Sequence, residues 1–482
     1  MRGLVVSLGL VLLALLVLEP ARSGIETSPM TVGQTPITVY HGDGPSVVMA
    51  HGFAGSRQMM QAYGYSLARA GYRVLAFDFE GHGRNPVPMS GDVTAIDGTT
   101  QRLVDQTLAV VAAAADGTGP VALLGHSMAT DVLVRAAARA PDQTGPLVLI
   151  SAFSQEITPR HPTSLLMITG AWEPGLRDFA RRAVAMVDPA AGEGDIARAG
   201  GVARKAVVAP LADHVSVLHS RAGRAEAVAW LNAAYGRTDT PVVPATGPAT
   251  LVLLLALVGL ARPLARLLPL HPDPVRRPLS VAQTAAVLLL PAVVAPPLAV
   301  LIDPHVLPVL VADHLAVHLG IYGVIQLSLL RAFGQPFGRM SVSGLIGILV
   351  WGLLIFGTAL DRYAANFWPI PERAAIIAAL ALGAVPFMLA DALVTDGGRA
   401  PVARRVLARL AFLASLGLAV VLDFEGLFFL IMIAPVIVLF YALYGLVGRW
   451  VGQRQGAMTA GLGLGVCLAW ALGVSFPLFA AG

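Results

Sequence analysis

The chain has 482 residues, of which 56% are hydrophobic and 13% charged, with a net charge of +4; soluble domains carry about 25% charged residues, so this composition is that of a membrane protein with room for roughly two to four domains. Lys205 is the sole lysine, and the arginines form no basic stripe interleaved with aromatic residues, so no nucleic-acid partner is expected. The single cysteine, Cys467, excludes a disulfide or a cysteine metal site within one chain.

Residues 1–23 carry Arg2, an apolar run from Leu4 to Leu18, and the small-residue stretch Ala21-Arg22-Ser23-Gly24. This is the pattern of a signal peptide or signal anchor, and it sends the following chain across the membrane. Its apolar run is shorter than the roughly 20 residues that span a bilayer comfortably.

Residues 24–236 alternate between strand-like and helix-like patterns. Buried-strand runs are expected at Ser46–Ala50, Arg73–Phe77, Val121–Leu124, Leu147–Ile150, Leu165–Thr169 and Ala206–Ala209. Helical patterns are expected at Arg57–Ala70, Thr100–Ala115, Met128–Ala140 and Val217–Tyr235. Such alternation implies a parallel sheet covered by helices on both faces.

Residues 237–248 form a proline- and threonine-rich linker, and residues 249–482 are almost continuously apolar. Eight spans are predicted at about 249–268, 281–301, 307–330, 342–360, 374–394, 403–422, 426–447 and 457–480, an all-α transmembrane domain in a lipid bilayer. Alternate gaps hold Arg262, Arg266, Arg276, Arg277, Arg331, Arg339, Arg399, Arg404, Arg405, Arg409, Arg449 and Arg454. The intervening gaps hold only Arg362 and Arg373, with acids at Asp303, Asp361, Glu372, Asp423 and Glu425. This asymmetry puts residue 248 outside the cytoplasm, the side to which the N-terminal segment also sends residue 24. The least regular expectations are the span at 403–422, with three arginines in its first turns, and the short gap at Asp423–Glu425, which suits a tight hairpin or a re-entrant element.

The chemistry centres on Gly125-His126-Ser127-Met128-Ala129, where a short strand ends and a helix begins at once. That strand–turn–helix geometry exposes a serine hydroxyl for attack on a carbonyl. His51-Gly52-Phe53 follows an earlier strand, and Gly81-His82-Gly83-Arg84 follows the next. In their order and placement at strand ends, these motifs make residues 35–236 resemble an α/β-hydrolase. The resemblance implies a mostly parallel sheet, Ser127 as nucleophile, and His214, just past the last strand, as its base. Glu173 in Gly170-Ala171-Trp172-Glu173 takes the place of the acid, with Asp178 as the alternative and Asp213 too close in sequence to His214. The backbone N–H groups of Phe53 and Met128 are the implied oxyanion donors. Ala129 replaces the second glycine of the family's elbow, adding one methyl where helix and strand pack. His126 is expected to serve packing, and His161 and His219 to lie on the surface.

Only about a dozen residues, Ser151–Ser164, separate two strands where the family often inserts a cap. An open, uncapped site beside a bilayer suits a small-molecule or lipid-like acyl substrate. Within the span 307–330, Asp313, His314 and His318 form a possible intramembrane polar site, His314 and His318 sharing a helix face. They suit a metal ion, a proton relay or a polar cavity, or else meet water at the outer end; Asp391 reads as interfacial. No motif calls for a cofactor. The leading reading is a serine hydrolase cleaving an ester or acyl bond outside the cytoplasm. The alternative is a transporter or acyltransferase-like membrane protein with an accessory hydrolase-like domain.

Overall fold

The structure, a computed structural model, describes residues 2–91, 96–115, 117, 119–240, 242–271, 273–302 and 304–480. Asp303, one of the acids expected in a gap between spans, lies outside the described residues. The chain divides into two units. One comprises Leu13–Leu251, Asp361–Asn366 and Pro477–Gly482; the other comprises Met1–Leu12, Val252–Leu360 and Phe367–Phe476.

The first unit is an α/β domain. Its strands are β1 (Thr27–Val32), β2 (Thr35–Tyr40), β3 (Ser46–Ala50), β4 (Arg73–Phe77), β5 (Val121–His126), β6 (Thr144–Ile150), β7 (Ser164–Gly170), β8 (Ile196–Ala199) and β9 (Val202–Ala209). They form one sheet in the order β1-β2-β4-β3-β5-β6-β7-β9-β8. From β4 to β9 the neighbours are parallel, while β1, β2 and β8 add antiparallel edges. The central strands are continuous apolar runs because both their faces are covered; every residue of β3 and β5 is buried.

The helices of this unit are α2 (Gln61–Arg69), α3 (Gln101–Ala114), α4 (Met128–Arg139), α5 (Pro174–Ala185) and α6 (Arg221–Tyr235), preceded by α1 (Arg2–Arg22). Local chemistry sets their ends. Ser220 caps α6 by accepting from the Gly223 N–H, and Gly236 closes it in a left-handed conformation at φ 66°. One core lies between the sheet and helices α2 and α6, built from residues such as Met49, Tyr63, Leu67, Leu124, Ile168 and Leu231.

A buried carboxylate ties together the loops that leave β3 and β4. Asp78 has no solvent exposure and accepts from the Arg57 N–H at 2.7 Å, from the Arg57 guanidinium, and from the Arg84 N–H at 2.9 Å. Arg84 continues outward to a two-oxygen pairing with Asp361, both contacts at 2.7 Å, and donates to Asn366 at 2.9 Å. The tail residues Leu478 and Ala480 extend this region by backbone hydrogen bonds to Gly81 and Met89.

The second unit is helical. After α7 (Thr246–Ala265) come α8 (Val281–Ile302), α9 (Ala312–Ala332), α10 (Val342–Leu349), α11 (Gly357–Tyr363), α12 (Ala374–Val394), α13 (Val402–Leu422), α14 (Phe424–Leu427), α15 (Leu430–Gln455) and α16 (Ala457–Ser475). Among the described residues nine helices are long and apolar enough to cross a membrane: α1 and eight in the C-terminal part. A wide π-helical stretch, Val350–Phe356, joins α10 to α11. Bulky rings fill the interior, with Phe387 and Phe412 4.2 Å apart and Tyr322 5.3 Å from Phe412.

Several boundaries differ from expectation. α9 starts at Ala312 rather than 307, α15 runs to Gln455 rather than 447, and the gap at Asp423 is a capped turn in which the carboxylate accepts from the Gly426 N–H at 3.0 Å.

Gly83 adopts φ 53°, and a Cβ there would lie 2.4 Å from the Asp78 carboxyl carbon. Gly83→Ala should therefore destabilise the protein by on the order of 1–3 kcal/mol. A thermal-unfolding midpoint of the detergent-solubilised chain equal to the parent's would contradict this account of the loop.

Candidate active site

Ser127 stands between β5 and α4 at φ 53°, ψ −119°. Side chains avoid this backbone region, so surrounding packing must hold it. Two glycines make the room. A Cβ on Gly125 would lie 2.5 Å from Leu133 Cδ1, and one on Gly52 would lie 2.9 Å from both Ser127 Cβ and His126 Nδ1. The loop of His51-Gly52-Phe53 is thus packed directly against the serine. The extra methyl expected at Ala129 is accommodated in full burial.

His214 follows β9, and its Nε2 lies 2.9 Å from Ser127 Oγ. Its Nδ1 lies 2.6 Å from Glu173 Oε1. A serine hydroxyl so placed can pass its proton to the imidazole while the carboxylate steadies the positive charge that results. Glu173 reaches this position because its turn is laced to the end of β9: the Ala171 N–H donates to the Ala209 carbonyl and the Trp172 N–H to the Ala212 carbonyl, each at 3.0 Å. Asp178 instead pairs with Arg181 on α5. Asp213 accepts from the N–H groups of Val215 and Ser216 and from the Ser216 hydroxyl, which caps the turn after His214.

Glu173 is held more firmly than sequence suggests. Glu173 Oε2 accepts from Ser151 Oγ at 2.8 Å and from the Gly170 N–H at 2.6 Å. Burial pushes the carboxyl group toward its neutral form, but the bonds with His214, Gly170 and Ser151 outweigh it, and its pKa falls below the ordinary carboxylate value. Ser151 carries no sequence signal beyond its place at the end of β6. His126 does more than pack: its Nε2 donates to the His214 backbone carbonyl at 2.8 Å and so anchors the loop that carries the imidazole.

Of the two expected oxyanion donors, Met128 is the first residue of α4, where an N–H has no acceptor within the helix. Phe53 lies in the loop that Gly52 packs against Ser127, its ring 5.5 Å from that of His82. The connection 151–163 contains no helix, so no helical cap is inserted between β6 and β7. The His214 side chain is 47% exposed while that of Glu173 is 6% exposed. Trp172 and Val215 adjoin Glu173 and His214 in the chain and are 64% and 53% exposed, while Phe153 and Leu211, in the segments that follow β6 and β9, are 56% and 80% exposed.

The expected polar trio of the helical unit divides. His314 and His318 are fully buried on one face of α9, 3.4 Å apart, and His318 Nε2 lies 2.9 Å from Ser415 Oγ. Neither meets water at the end of the helix. Asp313 turns away and accepts from the Leu307 N–H at 2.9 Å. Asp391, near the end of α12, is buried and lies 3.7 Å from Arg409. Among the described residues no group of three or more His, Cys, Asp or Glu could hold a metal ion. His219 and His161 are half-buried, and neither makes a hydrogen bond to Ser127, His214 or Glu173.

The fold and this arrangement define the N-terminal part of the chain as an α/β-hydrolase domain, joined to an all-helical region with long apolar helices. Residues 44–185 match the family described as serine aminopeptidase, S33. Among solved structures, the chain is similar to an epoxide hydrolase from Vigna radiata, at 26% identity over 29% of this chain and 43% of that one, with a TM-score of 0.23. It is similar to a predicted CIB-like hydrolase from Thermoplasma acidophilum, at 15% identity over 44% of this chain and 99% of that one, with a TM-score of 0.34. A laboratory evolved variant of potato epoxide hydrolase matches at 23% identity over 29% and 43% of the two chains, with a TM-score of 0.24. The chain spans about two fifths of the length of the epoxide hydrolases it matches.

Burial pushes His51 and His126 down to about 4. His51 is neutral by construction of its bonds: Nδ1–H donates to the Gly52 carbonyl, and Nε2 accepts from the Phe79 N–H. The unfolded chain takes up these protons near the ordinary histidine value, so stability is retained above it. It is lost as pH falls from about 6.5 to about 4, by up to about 1.4 kcal/mol per pH unit for each histidine. His51→Gln, which keeps one donor and one acceptor, should flatten the fall in thermal midpoint between pH 7 and pH 5. An unchanged slope would show that His51 does not take part.

Proposed function

We propose that the α/β unit is a serine hydrolase that cleaves an ester or acyl bond through an acyl-enzyme. The observation that carries this reading is the hydrogen-bonded chain Ser127–His214–Glu173 at 2.9 and 2.6 Å. Ser127 Oγ attacks the substrate carbonyl carbon as His214 Nε2 takes the hydroxyl proton, and Glu173 stabilises the imidazolium. The carbonyl oxygen becomes an oxyanion that accepts from the N–H groups of Met128 and Phe53. Collapse expels the alcohol, which takes the proton from His214 and leaves the acyl group on Ser127. A water molecule, deprotonated by His214, then attacks the acyl carbon. The carboxylic acid departs and Ser127 regains its proton.

The substrate we infer is an acyl ester with an apolar chain. The peptidase activity named for the matching family would use the same steps on an amide. Four solvent-facing apolar side chains beside the triad favour an acyl chain, because burying such surface contributes about 25 cal/mol per Å².

We further infer that the long apolar helices cross a membrane and that the α/β unit lies on its non-cytoplasmic side, a reading supported by the arginine distribution between the spans. α1 is read as a retained anchor. Its Glu19 pairs with Arg362 at 2.7 Å and its Arg22 donates to Gln61 Oε1, partners that cleavage after Ser23 would remove.

A fluorophosphonate probe should label the chain in isolated membranes, and Ser127→Ala should abolish the labelling; equal labelling of the variant would sink the enzyme reading. Glu173→Gln should lower kcat by about 10⁴-fold, as conversion of a triad acid to its amide does. Trp172→Ala should reduce the preference for a dodecanoyl over an acetyl p-nitrophenyl ester by about tenfold, the loss of about 1.4 kcal/mol of apolar burial. An unaltered preference would exclude Trp172 from the acyl site. Protease added to intact cells should cut within residues 24–236, and complete protection of that segment would overturn the placement.

A further inference from the structure

The helical unit contains a second site of a different kind. Near the C-terminal end of α12 lies a cavity of about 50 Å³, partly open to solvent and walled by α12, α13, α15 and α16. Its polar lining consists of Asp391, Arg405, Arg409, Tyr441 and Arg449 beside the Gly397–Gly398 turn. A Cβ on Gly398 would lie 2.4 Å from Arg449 Cγ, so turn and arginine are in close contact.

The arginines around this cavity differ from their neighbours. Arg276 pairs with Asp273 at 2.9 Å and Asp396 at 2.6 Å, and Arg399 pairs with Asp273 at 3.1 Å. The cavity's own carboxylate, Asp391, lies 3.7 Å from Arg409, which also sits 4.7 Å over the Tyr441 ring. Arg405 and Arg449 have no carboxylate or hydrogen-bond acceptor among the described residues. The Nε atoms of Arg405, Arg409 and Arg449 are buried and unpartnered, as are those of Arg276 and Arg404 outside the cavity, so the difference lies in the missing carboxylate partners. Tyr441 is 8% exposed, and its hydroxyl is likewise buried without a partner. Three guanidinium groups face one carboxylate around one space, leaving two positive charges uncompensated. Cations gathered around one space at the end of a helix bundle repel one another, and an anion placed between them relieves that repulsion. Guanidinium forks match the oxygens of a phosphate group, and a phenol adds a donor. Val406, Leu410 and Leu446 nearby are exposed apolar side chains, as the flank of a lipid-facing site would be.

We propose that this cavity binds a phosphate group, carried by an anionic lipid headgroup or present as free phosphate, through Arg405, Arg449 and the Tyr441 hydroxyl. The site is independent of Ser127 and its partners.

The full chain, purified in neutral detergent and delipidated, is placed in phosphatidylcholine nanodiscs containing a minor fraction of phosphatidylglycerol. Bound lipid is read by mass spectrometry, and the thermal midpoint is read with and without inorganic phosphate. The parent chain should retain phosphatidylglycerol about tenfold over its share of the bilayer. Arg405→Gln and Arg449→Gln should each reduce this at least about fivefold, and Tyr441→Phe about twofold. Arg404→Gln removes a charge from the same helical turn but not from the cavity, and it should leave retention unchanged. If inorganic phosphate raises the parent's midpoint in a manner lost in Arg405→Gln while no lipid is preferred, free phosphate is the ligand. If Arg404→Gln costs as much as Arg405→Gln, or if neither source of phosphate binds the parent chain, the proposal fails. The parent-chain measurements and Tyr441→Phe decide the matter should an arginine variant not fold.

Discussion

The backbone of Ser127 is the constraint on which the site-bearing end of the α/β unit is built. Holding a non-glycine residue at φ 53° costs on the order of 1–3 kcal/mol, which only a surrounding structure that over-determines the turn can sustain. Here a fully buried strand enters the turn, a helix with a buried face leaves it, and Gly125 and Gly52 give up their side chains so that both can close upon it. The parallel order of the central strands then does the rest. β3, β5, β7 and β9 run the same way, so the segments that follow them, carrying Phe53, Ser127, Glu173 and His214, emerge at one edge of the sheet. Convergence at the carboxyl ends of strands is the general rule for open α/β sheets.

Two buried carboxylates stiffen that edge from either side. Glu173 gives one oxygen to His214 and the other to Ser151 and the Gly170 N–H. Asp78 gives its oxygens to the backbone and side chain of Arg57 and to the backbone of Arg84. Each is fully occupied, as a carboxylate in a low-dielectric setting must be. The contrast in purpose is instructive. Asp78 pins two loops and touches no reacting group, whereas Glu173 keeps one oxygen for an imidazole that is open to solvent. The longer side chain of glutamate suits this geometry, because its turn is already bonded at Ala171 and Trp172 to the end of β9, and the carboxylate reaches from there to both Ser151 and His214.

What was legible in the sequence follows from the kind of signal each element emits. The five central strands β3, β4, β5, β6 and β7 are apolar runs bounded by turn residues, and their expected cores coincide with the observed ones. β1 and β8 are edge strands with half of their residues exposed or more, and β2 interleaves threonine and proline with its apolar residues; none of the three forms such a run. α5 carries arginines on most of its turns and buries only Ala180, Ala183 and Val184, so its apolar stripe is too thin to read. Ser127, His214 and Glu173 could be picked out as candidates because each sits at a fixed offset from a strand, and the structure brings the three together. Ser151, the His126 bond to the His214 carbonyl and the pairing of Arg84 with Asp361, 277 residues away, were not, because each exists only through tertiary contact.

The helical unit uses polar groups in two ways, and the difference bears on function more than their number does. Arg373 is almost fully buried, yet it donates to the carbonyls of Gly473 and Phe476, groups at the end of α16 that have no acceptor role left within the helix. Asp313 likewise caps the backbone at Leu307. These charges complete the fold, and their burial is explained by what they touch. His314 and His318 form an intermediate case: they bond each other and Ser415, but His314 Nδ1 is left buried and unpartnered. The arginines beside Tyr441 stand at the far end of this scale: three of them share one carboxylate, Asp391, and Arg405 and Arg449 have no acceptor among the described residues. In an apolar bundle a satisfied polar group is evidence of architecture, and a group of unsatisfied ones around a shared cavity is evidence of something that architecture alone does not require.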